Sequence, residues 1–262
     1  MDNLMRKLPI GIQTFEGIRK DNYLYVDKTA LVWRMANLGK PYFLSRPRRF
    51  GKSLLISTFD AYFQGKKELF DGLAIEQLET KWEQHPVLHL DLNAKKYGTA
   101  ADLIAMLNQY LEKWEAIYGN EKKDRSPEER FSYVIEQASL KTGKGVVVLV
   151  DEYDKPLLQA ITRPKLFEDY RQTLKAFYGV LKSADAYLRF VFLTGVTKFS
   201  QVSVFSDLNQ LNDISLDFAY ATLCGITKEE LGSTFVPELE RQAAVNDMTS
   251  EAVMEMMTRR YD

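Results

Sequence analysis

The sequence is poor in residues that build disulfide frameworks or zinc centres. Its 262 residues include one cysteine, Cys224, and two histidines, His85 and His89. A single cysteine excludes an internal disulfide and is typical of proteins in a reducing compartment. Because structural zinc takes four nitrogen or sulfur ligands, a zinc site built from these side chains is not expected.

An excess of one charge is also missing. The 35 Lys and Arg residues balance 36 Asp and Glu residues, which leaves a net charge of −1 and no general argument for binding nucleic acid or an anionic membrane. No apolar run approaches the ~18 residues of a membrane helix, and residues 1–7 lack the apolar centre of a signal peptide. The sequence therefore predicts a soluble, cytoplasmic protein with enough apolar residues for one large domain.

A basic loop that ends in Gly-Lys-Ser is the most informative stretch. An apolar run at 41–44 leads into Ser-Arg-Pro-Arg-Arg-Phe-Gly-Lys-Ser at 45–53, and an apolar helix is predicted over 54–63. This order of strand, loop and helix is that of a phosphate-binding P-loop, the Walker A motif. Unpaired backbone N–H groups and the helix dipole favour a polyphosphate at such a helix start.

The residue types in the loop suit a nucleotide bound with Mg²⁺. Gly51 permits close approach of the backbone, Lys52 reaches the β- and γ-phosphates, and the Ser53 hydroxyl ligates Mg²⁺. The general pattern begins with Gly six residues before the Lys, where this chain has Arg46, so a basic loop without this function stays an alternative for the motif alone. The predicted nucleotide-binding residues are Arg46, Pro47, Arg48, Arg49, Phe50, Gly51, Lys52, Ser53 and Leu54.

Two carboxylates follow a second predicted strand. The five apolar residues at 146–150 indicate a buried parallel strand, and Asp151 and Glu152 come directly after it. Ligands of open α/β sheets bind outside the carboxyl ends of the strands. We therefore expect Asp151 to hold Mg²⁺ and Glu152 to activate water for attack on the γ-phosphate, the roles of a Walker B motif. A solvated turn is the alternative for this pair taken alone.

A third buried strand, 190–193, ends at Thr194, whose hydroxyl either senses the γ-phosphate or caps the strand end. Strands that alternate with long helices predict a right-handed, doubly wound α/β sheet. We also expect an edge strand at 220–224 and a helical tail interrupted near Gly232, Pro237 and Asn246.

The three loop arginines have two interpretations. Arg46, Arg48 and Arg49 either contact phosphate or nucleic acid, or pin the loop to the protein body by pairing with acids such as Asp154. We favour the second interpretation.

The segment upstream of the loop supplies candidates for a wall against the nucleotide base. These candidates are Ile12, Phe15 and Tyr25. Ordinary core packing is the alternative for each of them, and it is the interpretation we favour.

Six separated blocks resemble the bacterial AAA-ATPase-like family and cover nearly the whole chain. In chain order they are Leu-Pro-Ile-Gly-Ile at 8–12 with Phe15, Tyr-Val-Asp-Lys-Thr at 25–29, the loop at 45–53, Val-Asp-Glu-Tyr-Asp-Lys-Pro at 150–156, Leu-Thr-Gly-Val-Thr-Lys at 193–198 and Leu-Asn-Asp-Ile at 211–214. The family's own loop carries Arg-Pro-Arg-Arg-Phe-Gly-Lys-Ser, so Arg46 departs from the general P-loop pattern but not from this family.

The resemblance implies a P-loop NTPase of AAA+-like fold, a three-layer α/β/α parallel sheet with a small C-terminal helical lid portion. The strand ending at Thr194 should lie between the P-loop strand and the Asp-Glu strand. Residues 1–225 would form the ATPase core, and 226–262 the start of a lid subdomain, truncated here. Related chains often continue into a domain that resembles a PD-(D/E)XK nuclease, and none of that active site is present in this sequence.

The function expected from the resemblance is that of an ATP- and Mg²⁺-dependent ATPase, the regulatory motor or switch of a longer protein. Two alternatives stay open: a nucleotide-gated interaction module without catalysis, and a nucleic-acid-stimulated ATPase coupled to the missing nuclease domain. The expected partners are a nucleotide and either a second copy or another protein, with nucleic acid only through the missing domain and no membrane. GTP is disfavoured because no Asn-Lys-x-Asp motif occurs.

Overall fold

A parallel sheet carries the residues that the sequence singles out. The computed structural model describes residues 7–39, 41–198, 204–205, 208 and 211–261. The strands are β1 (Tyr42–Ser45), β2 (Val87–Asp91), β3 (Val146–Asp151), β4 (Leu188–Gly195) and β5 (Asn212–Asp213). Their order is β2-β3-β4-β1-β5, with every neighbouring pair parallel. The strand that ends in Thr194-Gly195 therefore lies between the P-loop strand and the Asp-Glu strand, as predicted.

The three central strands, β1, β3 and β4, are buried on both faces because they are almost continuously apolar rather than alternating. In β3 every residue is buried. Val148 and Val150 belong to one apolar cluster, whereas Val147 and Leu149 belong to another on the opposite face. This division follows from the two-residue period of a strand. The prediction of a three-layer α/β/α architecture is confirmed.

Helices form the two outer layers. Their bounds are α1 Phe15–Lys20, α2 Thr29–Leu38, α3 Lys52–Phe63, α4 Ala100–Tyr118, α5 Pro127–Thr142, α6 Lys155–Ala160, α7 Pro164–Ser183, α8 Lys228–Thr234, α9 Val236–Val245 and α10 Ser250–Tyr261. Helices α1, α2 and α3 pack on one face, and α4, α5, α6 and α7 pack on the other. Within the described ranges, none of the helices combines the length and apolar content that crossing a bilayer requires.

Two predictions for the C-terminal third were wrong. The edge strand beside β1 is Asn212–Asp213. The segment predicted as a strand, 220–224, instead begins inside a 3-10 turn at Phe218–Tyr220 and continues as turns. The Asp217 carboxylate accepts a hydrogen bond from the Ala219 amide (2.9 Å) and so caps that turn. Gly232 lies inside α8 and does not interrupt it, because a single glycine costs a helix only about 1 kcal/mol relative to alanine.

Helices α9 and α10 form a small apolar cluster apart from the sheet. Leu239, Ala243 and Val253 are its buried members. The predicted break near Pro237 is present, since α9 begins there with proline in its first turn, and Asn246 follows the end of α9. The division into a core of residues 1–225 and a lid from 226 onward stays a prediction.

Candidate functional site

The Gly-Lys-Ser loop turns sharply into α3. Gly51 precedes the helix with φ +86°, a left-handed conformation that glycine adopts without strain. Lys52 is 4% exposed. Its ammonium Nζ donates to the Arg46 carbonyl (3.1 Å) and to the Pro47 carbonyl (3.3 Å). The lysine thus folds back inside the loop, with Ser53 next to it in the first turn of α3.

Glu152 faces this lysine from the end of β3. Its Oε1 lies 3.4 Å from Lys52 Nζ, and the two side chains are 14% and 4% exposed. Burial raises the pKa of the Glu152 carboxyl; the negative charges of Asp151 and Asp154 act in the same direction, and Lys52 opposes them. Glu152 also has φ +53°, a left-handed conformation that costs a non-glycine residue about 1–3 kcal/mol.

Asp151 and Thr194 meet on the adjacent strands β3 and β4. The Thr194 hydroxyl donates to Asp151 Oδ1 (2.8 Å), and the two residues are 0% and 5% exposed. This bond fixes the orientation of the carboxylate at the carboxyl end of the sheet. In the described part of the chain, no cluster of three or more His, Cys, Asp or Glu side chains is arranged to hold a metal ion.

The loop arginines do not behave as one group. Arg46 donates through its guanidinium to the carbonyls of Ser45 and Ser215, so it ties the loop to the segment after β5. Arg48 and Arg49 are exposed. The suggested acidic partner, Asp154, instead accepts hydrogen bonds from residues 196 and 197. The loop is therefore anchored through main-chain carbonyls, not through an ion pair with that acid.

An apolar cavity of about 370 Å³ opens beside the loop. Arg49, Phe50, Gly51 and Leu54 of the predicted nucleotide-binding set line it, together with Tyr25 from the upstream segment. Phe15 instead lies in the core with 0% exposure and packs edge-on against Tyr25, with ring centroids 5.1 Å apart. Of the three upstream candidates, the structure places only Tyr25 in the cavity wall.

Lys28 lines the same cavity. Lys28 forms an ion pair with Glu230, and their side chains are 10% and 24% exposed. The other carboxylate oxygen of Glu230 accepts from the Thr227 amide (2.8 Å), which caps α8. One glutamate therefore both starts the first helix of the tail and attaches it to the cavity wall.

Cys224 also lines this cavity. Burial raises the pKa of its thiol to about 11, although the charges of Arg46, Lys52 and Lys28 oppose the shift. The thiol is therefore protonated at neutral pH and contributes a small apolar surface to the wall.

The sequence patterns did not single out Lys28 or Glu230 as site residues. Each had a visible signal: Lys28 belongs to the block 25–29, and Glu230 completes a capping box with Thr227. Only the folded chain brings them together, since they are 202 residues apart.

Comparisons with known proteins identify the family of this chain. A family model described as "Predicted AAA-ATPase" matches residues 9–205. A relative from Azotobacter chroococcum mcd 1, named "Uncharacterized protein in vnfD 5'region", is 45% identical over 238 residues, which cover 89% of this chain and 46% of the relative. The chain thus spans about half the length of the curated relative it matches. No solved structure matches the chain significantly. With its parallel sheet and Gly-Lys-Ser loop, the chain belongs to the predicted AAA-ATPase family.

Proposed function

We propose that this chain binds ATP with Mg²⁺ and hydrolyses it, and that it serves as the nucleotide-dependent motor or switch of a longer protein. The observation that carries the proposal is the meeting of Lys52, Glu152, Asp151 and Thr194 at the carboxyl ends of three neighbouring strands. These residues come from three separate sequence motifs. Their meeting is what a phosphoryl-transfer site needs, because such a site works mainly by positioning and charge stabilisation.

The donors at this site fit a magnesium ion that arrives with the nucleotide. Mg²⁺ in phosphate sites takes one or two protein ligands and fills its remaining positions with phosphate oxygens and water. Asp151 offers a buried carboxylate held by Thr194, and Ser53 offers a hydroxyl at the helix start. Bound there, the ion would neutralise developing charge on the β- and γ-phosphates.

Lys52 and Glu152 have complementary roles. Nucleotide phosphates would take over the Lys52 ammonium from its present partners, the loop carbonyls and Glu152. Glu152 would then be free to accept a proton from the attacking water. Thr194 would keep Asp151 oriented through its hydroxyl. If the hydroxyl turned to donate to the γ-phosphate it would release Asp151, because a hydroxyl has one proton to donate.

The cavity beside the loop is the proposed site for the nucleotide base. Its volume of about 370 Å³ falls in the range of small-molecule sites. Its wall is largely apolar, with Tyr25, Phe50 and Leu54 near the loop, and a flat aromatic base gains by leaving water for such a wall.

The Lys52–Glu152 ion pair also favours a second candidate function. In this arrangement the carboxylate that should activate water is held by the lysine that should bind phosphate. A chain that keeps this pair after nucleotide has bound would be a nucleotide-gated interaction module without turnover. Measuring the ATP hydrolysis rate beside ATP affinity separates the two, since tight binding without turnover favours the gate.

Substitution of Lys52 tests the proposal directly. Calorimetric titration of the purified chain with ATP and Mg²⁺ should show binding, and phosphate release should show turnover. Lys52→Ala should abolish both, whereas Lys182→Ala, at an exposed position in the last turn of α7, should leave both unchanged. Unaltered ATP affinity in Lys52→Ala would refute the assignment of the site.

A further inference from the structure

The buried carboxylate of Asp154 holds the chain that follows β4. Asp154 is 0% exposed. Its Oδ2 accepts from the Val196 amide (3.1 Å), the Thr197 amide (2.8 Å) and the Thr197 hydroxyl (2.6 Å). Three donors converge on one oxygen, and hydrogen bonds to an ionised acceptor are stronger than neutral ones. We call this contact the Asp154–Thr197 clamp.

The segment held by the clamp is also bound to the P-loop strand. The Ser45 hydroxyl donates to the Val196 carbonyl (3.1 Å), and the Arg46 amide donates to the Gly195 carbonyl (3.2 Å). Residues 195–197 therefore bridge the strand that enters the P-loop and the turn that carries Glu152. A displacement of this bridge would change the position of Glu152 relative to the bound phosphates.

Little free space separates the bridge from the Glu152 turn. A Cβ atom added at Gly195 would lie 2.5 Å from a ring carbon of Tyr153 and 2.7 Å from Asp154 Oδ1. The Tyr153 amide donates to the Thr194 carbonyl (3.0 Å), and its hydroxyl donates to the Thr197 carbonyl (3.0 Å). Close packing and hydrogen bonds thus fix the two segments against each other.

The backbone of Glu152 needs such support. Its φ of +53° is left-handed, and a strained conformation persists only where the surrounding structure holds it. The Glu152 carbonyl accepts from the Lys155 amide (2.9 Å) within the same turn. The clamp acts two residues after Glu152 and anchors this turn to the segment that follows β4.

We propose that the Asp154–Thr197 clamp is a positioning device that sets the Glu152 carboxylate against the γ-phosphate, so that Asp154 and Thr197 control the rate of hydrolysis without contacting nucleotide. The inference rests on the proposed ATPase function. Misplacement of a reacting group by about 1 Å can cost on the order of 100-fold in rate, so loss of one of the three donors should lower kcat by about tenfold.

Substitution of Thr197 tests the clamp with a matched control. Thr197→Val removes the donor hydroxyl and keeps the side-chain volume, whereas Thr197→Ser keeps the hydroxyl. We expect Thr197→Val to lower kcat about tenfold with ATP affinity within twofold of the wild-type chain, and Thr197→Ser to retain most of the rate. Thr197→Ala serves as a second variant without the hydroxyl if the valine variant does not fold.

The outcomes separate the clamp from the proposed function. Wild-type kcat in both variants that lack the hydroxyl, with an active wild-type chain, overturns the clamp alone. Parallel losses of kcat and ATP affinity, or a serine variant as slow as the valine variant, also overturn it, because they indicate general damage to the site. A wild-type chain that binds ATP without turnover overturns the hydrolysis proposal, and the clamp with it.

Discussion

Replacing Glu152 by glutamine separates ATP binding from hydrolysis. The change keeps the size of the side chain and removes its negative charge, so it affects both the expected proton acceptor and the ion pair with Lys52. Glu112→Gln is a matched control, because Glu112 is an exposed residue of α4 on the opposite face of the sheet from α3. We expect slower hydrolysis and unimpaired, slightly tighter binding.

The size of the effect follows from the site geometry. At the 3.4 Å separation of Lys52 and Glu152, an effective dielectric constant of about 20 gives a gross attraction of ~5 kcal/mol. Desolvation of the two charges offsets most of this, so we take a net ~1 kcal/mol, which corresponds to about fivefold tighter ATP binding once the competing carboxylate is gone. Loss of a general base lowers kcat by about 10²–10⁴-fold.

The assay combines steady-state phosphate release with calorimetric ATP titration at a saturating Mg²⁺ concentration. The glutamine variant should bind ATP and release phosphate at least about 100-fold more slowly than the wild-type chain. Turnover within about threefold of the wild-type rate would refute the role of Glu152 as general base. Loss of ATP binding would instead assign Glu152 to the binding step.

Three further predictions concern stability and the cavity. Glu115→Ala leaves the buried Arg130 without its bidentate partner (2.7 Å for both contacts). The free energy of unfolding, measured in urea, should therefore fall by about 3–5 kcal/mol. A decrease of less than about 1 kcal/mol would contradict this prediction. Because its pKa is about 11, Cys224 has roughly 200-fold less thiolate at pH 8 than an ordinary thiol, so its reaction with iodoacetamide should be slow. Bound ATP should slow this reaction further. Rapid labelling that ATP does not affect would place the thiol outside the nucleotide cavity. Glu230→Gln removes the ion pair with Lys28 and keeps an acceptor for the helix cap. The rate of amide hydrogen exchange in α8 should therefore rise about fivefold. An unchanged exchange rate would show that the ion pair does not hold this helix.

Elements with strong local signals were predictable from the sequence. The capping boxes that start α4 and α5, at Thr99 and Ser126, are visible in the sequence because capping depends on residues within one turn. The continuous apolar run at 146–150 gave β3 for a similar reason, since a strand buried on both faces has few polar positions. The prediction of a strand at 220–224 was wrong because apolar residues that pack beneath a turn have the same sequence pattern as a short edge strand.

The candidate site was only partly visible in the sequence. Each of the residues Lys52, Asp151 and Thr194 belongs to a short sequence motif, and each motif indicates the end of one strand. Their mutual distances were not visible, because the order of parallel strands depends on crossover connections rather than on neighbouring residues. No local pattern indicates that Lys28 and Glu230 pair, because the two residues are 202 positions apart in the sequence.

By itself, the sequence determined the elements of this protein and the chemistry that each can carry: a loop for phosphate, two acids after a buried strand, and a hydroxyl after another. The tertiary structure decided which of these groups meet, that Lys52 is held by Glu152, and that Asp154 binds the chain after β4. The physical reason is the distance along the sequence over which each interaction acts. Capping, periodicity and turn chemistry act within a few residues, whereas ion pairs and buried hydrogen bonds join residues that only the packed sheet brings together.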